Sequence, residues 1–357
     1  MNDLRAHFPV FERLAYLNAG TTGPVPQGAF DAAHESLRAQ LDQGRSGSEF
    51  FGRCTARVEL LRGRIAALMS ADPGEVALTG STTDGVNAAL TALDLGPGDE
   101  VLTSDQEHPG LLAPLAALRE RRGVRVRVVP FAELAGAVGA DTRVVACSHV
   151  SWMTGAVADV AALAATPALV LLDGAQGLGA VPVDAHALGC DFYAASGQKW
   201  LCGPNGLGYL YVRAELASEL PPPWPGYSVL ADSTRAFELE LHPDARRLSV
   251  GGFPPAHHVD WALAALDVLE GPGLDAVCQR AADLADGLAA ALGKRVRPRG
   301  RSTLVSWEVA DPVAEVERLR GEGFALRDLP GTSTVRASVG AWSTEEELAR
   351  LAELTCR

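Results

Sequence analysis

The segment LLDGAQGLGAVPVDAHALGCDFYAASGQKWLCGPNGLGYLYV, from Leu171 to Val212, decides how the chain is read. It completes an unbroken apolar run, Ala168, Leu169, Val170, Leu171 and Leu172, that ends in Asp173. An apolar run without alternation predicts a strand covered on both faces, as in parallel sheets. Such a strand delivers Asp173 to its carboxyl end, where open α/β sheets bind ligands. Gln176 follows the aspartate, Ser196 precedes Lys199, and Gly203-Pro204-Asn205-Gly206-Leu207-Gly208 makes a tight turn into the apolar strand Tyr209 to Val212. Alone, the aspartate would read equally well as a cap and the lysine as solvated surface. Together, among glycines and small polar residues, they suit an enzyme that holds an aldehyde cofactor on the lysine and grips its pyridine nitrogen with the acid.

These residues resemble the class V aminotransferase family of pyridoxal-phosphate enzymes, which includes cysteine desulfurases, selenocysteine lyases and isopenicillin-epimerase-like proteins. The resemblance extends from Tyr16 to about Leu351. It implies a fold-type-I pyridoxal-phosphate transferase architecture in which Lys199 carries pyridoxal 5'-phosphate, Asp173 pairs with the pyridine nitrogen and Gln176 bonds the ring hydroxyl. Ser196 would bind the phosphate.

A second element, Gly80-Ser81-Thr82-Thr83-Asp84-Gly85-Val86-Asn87, lies between a strand-like run and a helix-periodic one. Backbone N–H groups at a helix start, with two hydroxyls beside them, form an anion site, although any Ser/Thr cap looks the same. The resemblance assigns Thr82 and Thr83 to the phosphate. It also places His108, in Glu107-His108-Pro109-Gly110, against the pyridine ring. Near the carboxyl end, Thr334-Val335-Arg336-Ala337-Ser338 sets one arginine among small residues. The planar fork of arginine holds a carboxylate by two parallel bonds, and the resemblance makes Arg336 the binder of a substrate α-carboxylate. Asn18 and Gly20 match the amino-terminal loop that closes over the substrate.

The chain departs from the family pattern at several positions. Gln198 stands where many members have a histidine, and an amide does not shuttle protons near neutral pH; it remains a candidate cofactor contact. Trp152, in Ser148-His149-Val150-Ser151-Trp152-Met153-Thr154-Gly155, replaces the asparagine common in desulfurases and makes a bulkier substrate wall. Desulfurases carry a mobile cysteine just before the R-A-S element, whereas Arg327-Asp328-Leu329-Pro330-Gly331-Thr332-Ser333 has none. Family members bury the site at a homodimer interface and borrow a threonine from the partner; Gly252 occupies that position here.

The cysteines at 54, 147, 190, 202, 278 and 356 are scattered, with no metal-ligand spacing, so no metal site is expected. Cys147, Cys190 and Cys202 read as buried packing residues. A length of 357 residues with 47% hydrophobic content predicts a substantial core divided between two domains. We expect a large cofactor-binding domain over 16–250 and a small one from 1–15 and 251–357.

Strand-like runs at 75–79, 100–104, 124–129, 143–150, 168–173, 190–194 and 207–212 alternate with helix-periodic runs at 27–42, 54–69, 84–95, 110–122 and 157–165. The alternation predicts an α/β fold, a mainly parallel seven-stranded sheet covered by helices. Beyond the loop-rich stretch that starts at Pro221-Pro222-Pro223-Trp224-Pro225, helices at 256–270 and 273–292, strands near 302–309 and 333–338 and a terminal helix predict a smaller α+β unit. A net charge of -13 argues against nucleic acid, and no apolar run reaches membrane-spanning length. A cytoplasmic homodimer acting on a small amino acid is expected.

The reading is therefore a pyridoxal-phosphate enzyme of the desulfurase-like C–S lyase kind. Transamination and epimerisation share its first carbanion and stay open. A catalytically silent binding or regulatory protein, motivated by Gln198, Trp152 and Gly252, is the alternative from another class, and the joint presence of Lys199, Asp173 and Gln176 argues against it.

Overall fold

The computed structural model describes residues 2–232, 234, 238 and 240–355; Cys356 lies outside them. Helix α1 (Asn2–Ala6) leads to strand β1 (Ala15–Tyr16) and two long helices, α2 (Gln27–Gln43) and α3 (Gly47–Leu68). Strand and helix then alternate through β2 (Val76–Thr79), α4 (Thr82–Ala92), β3 (Glu100–Ser104), α5 (Pro109–Arg122), β4 (Arg125–Val129) and β5 (Thr142–Ser148). The alternation continues with α6 (Val160–Ala164), β6 (Leu169–Asp173), α7 (Ala185–Leu188), β7 (Phe192–Ser196) and β8 (Gly208–Val212). After α8 (Ala214–Ala217), an irregular stretch holds the short pair β9 (Leu230–Asp232) and β10 (Glu240–Leu241), followed by α9 (Ala256–Glu270) and α10 (Leu274–Leu292). The chain closes with β11 (Leu304–Glu308), α11 (Pro312–Gly321), β12 (Phe324–Ala325), β13 (Arg327–Asp328), β14 (Thr334–Ser338) and α12 (Glu345–Thr355).

The expected seven-stranded sheet is present, in the order β2-β8-β7-β6-β5-β3-β4. Only β8 runs against its neighbours, β2 and β7, and the pairs from β7 through β4 are parallel. Helices cover both faces, and β2, β3, β7 and β8 are buried along their whole length. At the exposed edge, β4 instead carries Arg125 and Arg127, whose guanidinium groups converge on the carboxylate of Glu100 at 3.0 and 2.8 Å. Charged side chains of this kind guard an edge against pairing with another chain.

One apolar layer packs Leu61, Ile65, Leu102, Tyr193 and Leu266 together, and the opposite face buries Val86, Leu111, Leu171 and Phe192. A separate, smaller core gathers Leu17, Leu288, Trp307, Leu319, Phe324 and Leu351 around the antiparallel sheet β11-β14-β13. Strand β1 joins it, pairing in parallel with β12, and the Ser338 N–H donates to the Leu17 carbonyl at 2.8 Å. Leu4 and Phe8 nearer the amino terminus, and Val259 and Leu263 of α9, pack instead in the first layer.

Three helices differ from their expected limits. Helix α4 runs from Thr82 to Ala92 rather than over 84–95, its start fixed by the Ser81 cap. Helix α3 starts at Gly47, earlier than the apolar periodicity begins, and an Arg53–Glu49 ion pair at 2.6 Å supports its exposed first turns. Helix α6 starts only at Val160, because Val157 bridges to Val150 and the side chain of Asp159 caps the helix by accepting from the Ala162 N–H. Among the described residues, no helix is long and apolar enough to cross a membrane.

Candidate active site

The loops leaving the carboxyl ends of β2, β3, β5, β6 and β7 carry the expected site residues, as parallel strands place their outgoing loops on one side. After β2 the chain turns at Gly80 into α4. Ser81 caps this helix by accepting from the Asp84 N–H at 3.1 Å, leaving the first turn, Thr82 and Thr83, facing forward. From the end of β7, Ser196 meets that turn: its Oγ lies 2.5 Å from Thr82 Oγ1 and accepts from the Thr82 N–H at 3.3 Å. Two hydroxyls thus converge at the start of a helix, where the backbone dipole favours an anion.

Asp173 ends β6 and is 5% exposed, with Oδ1 accepting from the Ala175 N–H at 2.9 Å. Burial raises its pKa, while the nearby charge of Lys199 lowers it. Lys199 stands partly exposed on the loop after β7, and burial pushes its amine down to about 8, against the opposing pull of Asp173. Arg336 and Arg327 lower it further. The acid and the amine therefore lie close enough to act on each other's charge, across a separation in sequence that only the fold closes. His108 caps α5 through Nδ1, which accepts from the Gly110 N–H at 3.0 Å, and its ring meets Trp152 edge to face at 4.9 Å. Burial, then the charges of Lys199, Arg327 and Arg336, hold this imidazole down at about 4, so it is neutral at physiological pH.

Gln176 is buried in the same pocket with both ends of its amide engaged: Nε2 donates to the Gly20 carbonyl at 2.7 Å and Oε1 accepts from Trp200 Nε1 at 3.0 Å. It ties the amino-terminal loop to the site. A Cβ on Gly20 would lie 2.7 Å from Ser338 Oγ and 2.8 Å from Gln176 Oε1, so only glycine allows the loop this close. Asn18 sits at the loop's start and accepts from Thr21 Oγ1 at 2.7 Å.

Arg336 lies on the central strand of the small sheet and is 1% exposed. Its Nη1 donates to the Trp152 carbonyl at 2.8 Å and its Nη2 to Thr21 Oγ1 at 3.4 Å. Arg327, its register partner on β13, donates to the same hydroxyl at 3.3 Å. Burial and then the charge of Arg327 push Arg336 down to about 9. Two guanidinium groups share one neutral acceptor, an arrangement suited to anionic ligands. The sequence signalled Arg336 through the R-A-S element but left Arg327 as part of a loop without cysteine; its place opposite Arg336 in a two-residue strand has no periodic signature.

A buried layer supports these groups. His149 Nδ1 and Tyr193 Oη lie 2.9 Å apart, and Tyr193 fills the space beside Gly174 so closely that a Cβ there would fall 1.9 Å from the ring. Gly174→Ala should lower stability by about 2 kcal/mol or more, measured as a drop in the urea midpoint, because neither the buried ring nor the strand end can yield. An unchanged midpoint would show that the layer is loose.

The residues present fit pyridoxal phosphate. The convergent hydroxyls at α4 suit its phosphate, the acid–amine pair suits its ring and aldehyde, and Trp152 Nε1, Gln198 Oε1 and Arg336 Nε are buried polar atoms without a partner among the described residues. No cluster of metal-ligating side chains occurs among the described residues.

Comparison with known proteins points to the same family and cofactor. Residues 15–301 match the family described as aminotransferase class-V. A probable cysteine desulfurase 2 of Mycobacterium leprae is 32% identical over 98% of this chain and 94% of its own. Among solved structures, a C-DES mutant with glycine covalently linked to its PLP cofactor superposes with a TM-score of 0.91 at 27% identity, over 98% of both chains. The cystine C–S lyase C-DES with its product cysteine persulfide gives a TM-score of 0.90 at 26% identity, over 97% of this chain and 98% of that one.

Proposed function

The chain belongs to the class-V aminotransferase family, and on that premise we propose that it is a pyridoxal-phosphate-dependent C–S lyase whose preferred substrate is a disulfide amino acid of the cystine kind. The observation that carries the choice of substrate is the pair Arg327 and Arg336, joined through Thr21 in one pocket. A substrate with a carboxylate at each end satisfies both guanidinium groups, whereas cysteine offers one carboxylate only.

Thr82, Thr83 and Ser196 would hold the cofactor's phosphate, Asp173 its ring nitrogen, His108 its face and Gln176 its hydroxyl side, with Gln198 a further cofactor contact. Bound there, pyridoxal phosphate supplies an electron sink conjugated to the substrate's α-carbon. Arg336 docks the α-carboxylate and Arg327 the distal one, while Asn18 and Thr21 hold the closing loop and Trp152 walls the pocket. The amine of Lys199, with its lowered proton affinity, takes the α-proton at Nζ and returns a proton to the departing sulfur. Cystine and water give cysteine persulfide, pyruvate and ammonia. Direct release of the persulfide accords with the thiols at hand: Cys147 and Cys202 are buried with proton affinities raised by burial, so neither is a ready sulfur acceptor.

The protein acts as a homodimer with the site near the interface. Supporting this are Phe30, Leu37, Leu41 and Phe51 on α2 and α3 and Trp224 and Tyr227 beyond β8, all exposed apolar side chains. Sedimentation should give twice the chain mass. The absence of a membrane-crossing helix among the described residues fits a cytoplasmic location.

Incubation of the holoprotein with cystine should release pyruvate and persulfide in equal amounts. Arg327→Gln should lower kcat/KM for cystine by about 10–100-fold and leave cysteine nearly unaffected. Alanine accompanied by a protein-bound persulfide would contradict the lyase, and equal losses for both substrates would contradict the assignment of Arg327.

A further inference from the structure

Glu107 immediately precedes His108, yet none of the roles above uses it. It is 5% exposed, and its carboxyl group is fastened to the ends of two neighbouring strands. Ser104 Oγ, at the end of β3, donates to Oε1. At the end of β5, the Ser148 N–H donates to Oε2 at 2.8 Å and Ser148 Oγ does so at 2.5 Å. Ser148 is in turn the register partner of Asp173, and the next residue, His149, donates its N–H to the Asp173 carbonyl at 2.9 Å. One carboxyl group therefore ties β3 to β5 at the point where β5 meets the acid on β6, while its own backbone leads directly into the imidazole that caps α5.

We propose that Glu107 is a positioning residue for the C–S lyase reaction: it sets Asp173 and His108 relative to each other, and its own proton tunes the charge of the site. The inference rests on the cofactor reading above.

The titratable groups facing Glu107 are Asp173 on β6, which raises its pKa, and Cys147 on β5, whose thiol it affects. No cation is among the groups that shift it. Burial is the largest influence and carries the acid up to about 7, against the hydrogen bonds from Ser104 and Ser148. Two buried acids one strand apart repel when both are charged, so ionisation of Asp173 favours a proton on Glu107. The two protonation states also differ in geometry. Ionised Glu107 accepts from both serine hydroxyls; protonated Glu107 must donate to one of them, which reverses that bond. Because the clamp lies beneath Asp173 and next to His108, this reversal reaches the site.

Glu107→Gln keeps the shape and cannot ionise. In the wild-type holoprotein, the visible absorbance of the bound cofactor should change with a step between about pH 6 and 8, and the step should be missing from Glu107→Gln. The cofactor-free protein gives a second readout. An acid whose folded-state pKa is raised stabilises most below its unfolded value and loses that contribution as pH rises through the folded one. The urea midpoint of the wild type should therefore fall between about pH 4.5 and 7 more steeply than that of Glu107→Gln. Glu107→Ala, which leaves the serines without their partner, should lower kcat about tenfold with KM changed much less, since misplacement of reacting groups acts on the chemical step.

A pH step that survives in Glu107→Gln, together with parallel urea profiles, overturns the inference while the cofactor reading stands. A wild type that shows no visible band with pyridoxal phosphate overturns both. Should Glu107→Ala fail to fold, the isosteric variant alone decides the question.

Discussion

Lys199→Met should give a folded protein that shows no visible absorption band with pyridoxal phosphate and whose kcat is lower by about 10³-fold or more. In the proposed mechanism both losses have one origin, since the same amine would attach to the cofactor's aldehyde and move the α-proton. The same substitution should make the cofactor-free protein more stable at neutral pH. Burial lowers the amine's pKa from its usual 10.5 to about 8. A base with a depressed folded-state pKa gives its full stability above the unfolded value and loses it as pH falls through the folded one, so at pH 7 the ammonium sits in the pocket at a cost. Allowing for partial exposure to the pocket, that cost is roughly 2 kcal/mol. The urea midpoint of Lys199→Met should exceed that of the wild type at pH 7, and the two should approach each other near pH 10.5. A variant that keeps the band would show that another amine holds the cofactor. A variant less stable at pH 7 would show that the ammonium is already well compensated without ligand.

Arg336→Gln should lower kcat/KM for cystine and cysteine alike by about 10²–10³-fold, corresponding to roughly 3–4 kcal/mol. The guanidinium is nearly inaccessible to water, its neighbours are a carbonyl and a shared hydroxyl, and its Nε has no partner among the described residues. A substrate carboxylate entering this place gains a charge-assisted partner that water does not rival, and its removal leaves the carboxylate desolvated and unpaired. Steady-state kinetics with both substrates, beside Arg327→Gln, separate the two arginines: the loss at 336 is common to both substrates and the loss at 327 is confined to cystine. A loss below fivefold at 336 would place the α-carboxylate elsewhere.

Both predictions depend on residues that differ in how openly the sequence announces them. Lys199, Asp173, Thr82 and Ser196 stand at the ends of apolar runs that are buried strands in the structure, so their place at one end of the sheet follows from local pattern. Trp152 and His108 are placed at the site by the family resemblance alone, and the structure brings their rings together at 4.9 Å. For Gln176, by contrast, the expectation concerned a ring hydroxyl, whereas the structure also engages it with Gly20, 156 residues away in the chain. A side chain's choice among partners depends on which loop packs over it, and nothing near position 176 records that.

Sequence alone determined the sheet and the side of it that bears the chemistry, because strand burial and direction are written in apolar runs a few residues long and in the short connections between them. Tertiary structure alone decided that Arg327 and Arg336 meet at Thr21, across 306 and 315 residues, and that Glu107 joins β3 to β5. It also decided the proton affinities of Lys199 and Glu107. Such contacts and charges arise from desolvation and from packing between segments remote in the chain, quantities that exist only once the chain has folded.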